Sequence, residues 1–412
     1  MPWIETHPME QRKKFIEEYL RNELQVVDLC ETFGVSRKTG YKWIARFKEE
    51  GVNGLGDRSR APKSCSHATS AEVRKACLAV REKHKTWGPK KVLGWLEKHR
   101  PELELPAAST VGELFKREGL VEPRPKRQRV SPRTEPFAEI QAPNDTWCAD
   151  YKGQFRVGAG ELCYPLTITD AFSRYGITCT SRRSTDTAGA REVFERAFRE
   201  YGLPRSIRSD NGPPFGSCGP LSQLAIWLVK LGIRPEYIKP GNPQQNGRHE
   251  RFHWTLKQEC ALPPRSTVKA QQEAFDEFLK VYNWERPHEA LDNATPGELY
   301  APSSRPFPTK LPEIFYPTHF DVRRVKRSGE ISWDGERVFI SEALHREPIG
   351  LEEQIDGSWH LYFGPMRLGV LTREGRFVRR EKAVWTDQGA ALVQRCPGAS
   401  PPPTAELGPS ST

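Results

Sequence analysis

The chain has 412 residues, too many for one ordinary domain, with 36% hydrophobic and 28% charged residues. That balance excludes a disordered chain, and no apolar run is long enough to span a bilayer. Lysine and arginine exceed the acids by 63 to 53, a net charge of +10, which favours a polyanionic partner because each neutralised phosphate releases a counterion. The first thirty residues carry no signal-peptide core, so a cytoplasmic protein is expected. Nine cysteines without a C-x-x-C pair fit reduced thiols and leave no zinc framework.

Residues 9–50 predict three helices. Phe15, Ile16, Tyr19 and Leu20 stripe the first, and Val26, Leu29, Cys30 and Phe33 the second. Gly34 supplies a turn, Ser36 an N-cap, and Ile44 and Phe47 the inner face of the third. This is the helix-turn-helix pattern, assigned to 1–53. Its third helix is expected to present Arg37, Lys38, Thr39, Lys42 and Arg46 to phosphates and base edges in a major groove. An ordinary helical hairpin with a solvated basic face explains that segment equally well.

A loose basic linker covers 54–68. A second helix-turn-helix-like unit over 69–121 follows, with helices near 70–85, 88–99 and 109–118 and with Ser70 and Ser109 as expected caps. Residues 122–143 read as a proline-rich basic linker. From 144 to 300 three strand-like runs precede alternating helices and strands, which predicts one mixed-sheet α/β domain. Residues 311–385 are β-rich, with hairpin signals such as Asp334-Gly335 and Asp356-Gly357, and predict a small barrel-like domain. A disordered tail is expected over 388–412.

Three acids stand in unusual contexts. Asp150 interrupts the first apolar strand of the α/β block, where an unpaired charge is costly. Asp210 lies where a strand ends before Asn211-Gly212, and Glu250 sits just inside a helix after a Gly/Pro/Asn loop. A strand middle, a strand end and a helix start can converge on one sheet edge. Such a trio suits Mg²⁺ or Mn²⁺, and two ions would clamp the attacking and leaving oxygens of a phosphoryl displacement. Lys239, Arg248, Arg251 and Lys257 surround Glu250 and are candidates for nonbridging phosphates, although each alone also reads as a solvated helix residue. Asp145 and Asp170 compete as acids, but their positions fit a cap and a turn. Cys148 reads as core.

The strings that carry these acids resemble the integrase catalytic core of transposases. They are Trp147-x-x-Asp150, Asp170-x-x-Ser173-Arg174-Tyr175, Ser209-Asp210-Asn211-Gly212 and Gly241-x-Pro243-Gln244-x-Asn246-Gly247-x-x-Glu250. Tyr282-Asn283-x-x-Arg286-Pro287-His288, with Thr295-Pro296 after it, belongs to the same set. Together they resemble a DDE transposase of the IS481 and IS3 insertion-sequence group, and also retroviral integrases. The resemblance implies an RNase H-like core with Asp150, Asp210 and Glu250 as the metal-binding triad. It also implies helix-turn-helix binding of terminal inverted repeats, strand transfer into target DNA, and a homo-oligomer that pairs two ends. The spacing from Asp210 to Glu250 is longer than the group's usual, which an insertion around 216–221 accommodates. A DNA-binding regulator with an inactive integrase-like core is the alternative.

Overall fold

The computed structural model describes residues 8–58, 69–121, 140–216, 219–238 and 247–386. The linker residues 59–68 and 122–139, the tail, Lys239 and the motif residues from Gly241 to Asn246 lie outside the described residues. The chain divides into two compact units, Met1–Thr69 and Ser70–Thr412.

In the first unit, α1 (Pro8–Arg21), α2 (Val26–Thr32) and α3 (Arg37–Glu50) bury Phe15, Ile16, Leu29, Cys30, Trp43 and Ile44 as one cluster. Gly34 takes φ +63° between α2 and α3, which only glycine adopts freely. The Ser36 side chain then accepts from Thr39 N and starts α3. Gly40 lets α3 approach α2, since a β-carbon there would sit 2.4 Å from Cys30 Sγ.

The second unit opens with α4 (Ala71–Lys83), α5 (Pro89–His99) and α6 (Ala108–Arg117) around Trp87, Val92, Leu96 and Phe115. Ser70 caps α4 as expected, whereas α6 starts from Ala107 without a side-chain cap. Ser109 therefore lies inside the helix it was expected to cap, because α6 begins one residue earlier than its apolar stripe suggests.

The α/β core has a sheet of β1 (Thr146–Tyr151), β2 (Phe155–Arg156), β3 (Leu162–Asp170), β4 (Gly176–Arg182), β5 (Ser206–Ser209) and β6 (Arg234–Tyr237). Its order is β2-β3-β1-β5-β6, with β4 also on the outer side of β3. The first strands pair antiparallel, and β5 and β6 join parallel to β1. This is an RNase H-like mixed sheet. The helices α7 (Thr187–Tyr201) and α8 (Gln223–Lys230) cover one face through Val193, Phe194, Phe198, Trp227 and Leu228. Next come α9 (Gly247–Leu256), α10 (Val268–Lys280) and α11 (Pro296–Leu299), and Phe252, Phe275, Phe278 and Tyr282 form a separate cluster with Cys163 and Cys179.

The C-terminal region is all-β, with β7 (Asp321–Arg324), β8 (Glu330–Trp333), β9 (Glu336–Phe339), β10 (Pro348–Glu353), β11 (Trp359–Phe363), β12 (Met366–Leu371) and β13 (Phe377–Trp385). The expected closure into a barrel is not what the ladders show. The strands form an open antiparallel sheet, β13-β12-β11-β10-β7, and a separate ribbon of β8 and β9. The sheet's apolar face is covered by that ribbon, through Ile331 and Val338, together with α8. Ala225, Ile226 and Val229 share one core with Ile349, Leu351, Leu361 and Phe363, while α8's other side faces the α/β core. A helix apolar on every side is buried on every side.

Among the described residues no helix is long and apolar enough to cross a membrane. Six described cysteines are free and buried.

Candidate active site

Asp150 and Asp210 meet through strand register. Thr146, Trp147 and Cys148 of β1 pair with Ser206, Ile207 and Arg208 of β5. Carrying this parallel register two residues further sets Asp150 beside Asp210, and paired residues of parallel strands face the same side. Trp147 and Ala149 point into the core under α7 and α8. Alternation therefore turns Asp150 to the opposite face, toward α9.

On its other side Asp150 pairs with Thr167 of β3. The Thr167 hydroxyl donates to the Asp150 carbonyl at 3.0 Å. His249 Nε2 and His253 Nε2, both from α9, lie 2.8 and 2.6 Å from the same oxygen. Since that hydroxyl's one proton is committed, both Nε2 atoms donate to it. His249 Nδ1 then accepts from Thr169, 2.8 Å away. His253 Nδ1 is left with a lone pair 3.8 Å from Asp150 Oδ2. This is no ion pair: burial holds His249 at about 3 and His253, with His249's influence added, at about 2. The two histidines fix the Asp150 backbone from the helix side.

Burial and then the charge of Asp210 push the Asp150 carboxyl up to about 7, with a smaller contribution from Glu250. The three predicted acids thus share one electrostatic neighbourhood. Their contact is unequal, however. Asp210 continues directly from β5, and a β-carbon on Gly212 would stand 3.1 Å from its Oδ2. Glu250, in the first turn of α9, is exposed. Among the described residues no three acids or histidines are drawn together closely enough to hold one ion. Asn211 donates from Nδ2 to Ile238 O, and its Oδ1 is buried with no hydrogen-bond partner among the described residues.

The other acids do structural work. Asp170 is buried and accepts from Asn144 N at 2.8 Å, Ser173 N at 2.7 Å and Ser173 Oγ at 2.6 Å. Asp145 accepts from Gln141 N and Ala142 N. Cys148 is buried and its thiol is pushed up to about 11 by burial, which makes it inert. Asn283, from the motif after α10, takes both backbone groups of Gly176 with its side-chain amide and pins that segment to β4.

Several family models match the chain. Integrase core domain models match residues 140–243 and 231–296, and the model of the IS481 family transposase C-terminal domain matches 320–376. A helix-turn-helix model matches 11–63 and a homeodomain-like model 39–115. The insertion element IS407 uncharacterized 31.7 kDa protein of Burkholderia multivorans is 30% identical over 190 residues, covering 46% of this chain and 67% of that protein. The chain belongs to the insertion-element transposases with an integrase core. The insertion element IS476 uncharacterized 39.2 kDa protein of Xanthomonas euvesicatoria is 26% identical over 243 residues, which span 58% of this chain and 66% of that relative. Similar solved structures include the HTLV-2 integrase catalytic core domain in complex with magnesium, at 17% identity and TM-score 0.32, covering 38% of this chain and 97% of that one. The simian T-cell lymphotropic virus intasome in complex with PP2A regulatory subunit B56 gamma is similar at 18% identity and TM-score 0.34, covering 78% and 99%.

In this insertion-element transposase the predicted basic residues divide by surroundings. Arg37, Lys38 and Lys42 of α3 are exposed. Thr39 is half-buried, with its hydroxyl 2.9 Å from Ser36 Oγ. Arg46, expected outward, is half-buried and lies over the Trp43 ring at 5.0 Å, because the tryptophan offers its face on that side. Arg251 is exposed on α9 and Lys257 just past its end, and Arg248 donates to Ala171 O at 2.7 Å. Lys239 lies outside the described residues.

The chain's sequence did carry a signal for the histidine pair, an i, i+4 spacing that straddles Glu250 on a helix. Its expected result is an acid-sensitive fold. Both rings stay neutral when folded and take protons near pH 6.5 when unfolded, so each costs stability as pH falls below 6.5. Denaturant titrations at pH 7, 6 and 5 should show His253→Gln losing roughly 1 kcal/mol less per pH unit than the parent. Equal pH dependence in the two proteins would mean that His253 is not held neutral.

Proposed function

We propose that the chain cuts DNA at the ends of its element and joins the freed 3′-hydroxyl to target DNA. Asp150, Asp210 and Glu250 are the catalytic carboxylates and hold Mg²⁺ or Mn²⁺, as two ions. The observation that supports this reading is the β1–β5 register, which, continued two residues past the Cys148–Arg208 pair, brings Asp150 and Asp210 to one face of the sheet. Two like charges held this way call for a cation.

The donor set fits a hard divalent ion: it is oxygen only, and the adjacent Asn211 Oδ1 is buried without a partner among the described residues. When bound, the ions neutralise phosphate charge and favour the ionised form of the attacking hydroxyl or water. The protein's own share is positioning. Strand pairing and the two histidines hold Asp150, and Gly212 leaves the Asp210 carboxylate uncrowded. Glu250 approaches from the α9 start, where negative charge suits the helix dipole. Arg251 and Lys257, with Lys239, take nonbridging phosphates. The test is incubation of the full chain with linear duplexes carrying the element's ends. Nicked 3′-hydroxyl ends and joined products are expected with Mg²⁺ or Mn²⁺ and none with chelator; no product with either metal would sink the reading.

The first helical unit would read the ends, with Arg37, Lys38 and Lys42 toward DNA and with Thr39 and Arg46 supporting α3. Pairing two ends implies a homo-oligomer. Replacing Arg37 and Lys42 together with Gln should weaken end binding and flatten its dependence on salt by about two phosphate contacts. An unchanged salt slope would remove α3 from the interface.

A further inference from the structure

A cavity of 560 Å³ opens where α5, α9 and the segment 282–290 meet, within the size range of small-ligand pockets, roughly 300–1,000 Å³. Its walls carry Lys91 from the second helical unit, and Arg174, Arg248, Arg251 and Arg286 from the core. Arg286 is matched by Glu259, and Glu289 is the acid on the lining. Positive charge is therefore in excess. Burial and then the neighbouring Arg248 and Arg251 lower Arg174, while burial and then Arg286 lower Lys91. Arg174 holds φ +64°, a left-handed conformation unfavourable for an arginine. Strain of this kind gathers at functional positions.

A second, independent observation points to a ligand. His288 lines the cavity at only 8% exposure, and its Nε2 has no hydrogen-bond partner among the described residues. The ring is neutral, held at about 3 by burial, and keeps a backbone hydrogen bond with Tyr282. A neutral ring nitrogen without a partner does not call for phosphate; it suits the polar edge of a base. Trp254, 39% exposed, supplies an aromatic surface on the same lining. Arg251 and Trp254 stand within one turn of Glu250 on α9.

We propose that this cavity seats one nucleotide of a DNA strand, with its phosphate against Lys91, Arg174 and Arg251 and its base against Trp254 and the edge of His288. The inference rests on the DNA-processing reading and deepens it. It makes the second helical unit a wall of the DNA site rather than a separate reader. Exposed pairs dock that unit on the core, Lys83 with Glu285 at 2.8 Å, and Lys90 with Glu289. Aromatic stacking of an unpaired base is sequence-tolerant, because every base has a π-face.

Titration calorimetry on the full chain in EDTA tests this with 5′-dAMP, orthophosphate, deoxyadenosine and a twelve-residue oligodeoxyadenylate. The expected order is dAMP tighter than orthophosphate, with deoxyadenosine weakest, and the oligonucleotide displacing dAMP. Lys91→Gln and Arg251→Gln should each weaken dAMP at least tenfold. His288→Gln should weaken dAMP and leave orthophosphate unchanged, and thermal melts verify that each variant is folded. Orthophosphate binding as tightly as dAMP would overturn the base component. Failure of the oligonucleotide to compete would overturn DNA as the source, and dAMP affinity unchanged in both cation variants would overturn the site. Absence of metal separates the two readings: cleavage without dAMP binding sinks only this inference, and dAMP binding without cleavage sinks only the catalytic one.

Discussion

Asp150→Asn and Asp210→Asn are each expected to lower strand cleavage by on the order of 10³-fold or more, and Asp150→Asn also to raise the melting temperature of the metal-free protein. The loss follows from removing a charged oxygen ligand whose contribution is several kcal/mol of transition-state stabilisation. The gain follows from linkage. The Asp150 carboxyl keeps its proton to about pH 7 in the fold but only to about 3.8 when unfolded. Between those values the fold binds more protons than the unfolded chain, so stability falls as pH rises through this window and stays low above it. Asparagine removes the charge that the buried site resists. With the side chain 28% exposed, the benefit is about 1–3 kcal/mol, a rise of about 2–6 °C at pH 8 in EDTA. Added Mg²⁺ should raise the parent's melting temperature and leave the variants' nearly unchanged. Full cleavage in either variant would remove that residue from the site, and a fall in metal-free stability for Asp150→Asn would contradict its strained environment.

Asp170 predicts the opposite behaviour although it belongs to the same family of motifs. Its carboxylate gathers Asn144 N, Ser173 N and Ser173 Oγ at the end of β3. Asp170→Ala leaves these buried donors without their acceptor, and each such loss costs about 1–3 kcal/mol. A total of roughly 3–5 kcal/mol is expected, seen as a clear fall in the denaturant midpoint and in soluble yield. Asp170→Asn keeps an acceptor oxygen and should recover part of that loss. If Asp170→Ala melts like the parent but fails to cleave, the residue belongs with the catalytic acids instead.

Much of the fold was legible because its signals are local. Ser36 and Ser70 announce helix starts, Gly34 the turn between α2 and α3, and the apolar stripes of α1 to α5 fix the inner faces. The strand runs carrying Asp150 and Asp210 were legible for the same reason. What sequence cannot supply is pairing. The β1–β5 register that brings the two aspartates together is a contact across some sixty positions, and periodicity carries no information about it. The same holds for Arg46, whose outward helical position is overridden by the Trp43 ring, and for the C-terminal strands, whose turns were visible but whose core is shared with α8 from far earlier in the chain. His249 and His253 were hidden by reading α9 only for Glu250 and its basic neighbours. Their role emerges once Thr167 stands opposite Asp150.

The covering of the C-terminal sheet by α8 limits how such proteins can be recombined. The last module closes on two surfaces at once, its own β8–β9 ribbon through Ile331 and Val338 and the outer face of α8. Ala225, Ile226 and Val229 form part of its floor, and the same helix roofs the sheet that carries Asp150 and leads into Asp210. A chimera that imports a foreign C-terminal region must therefore import the matching outer face of α8, or it exposes the back of its own integrase core.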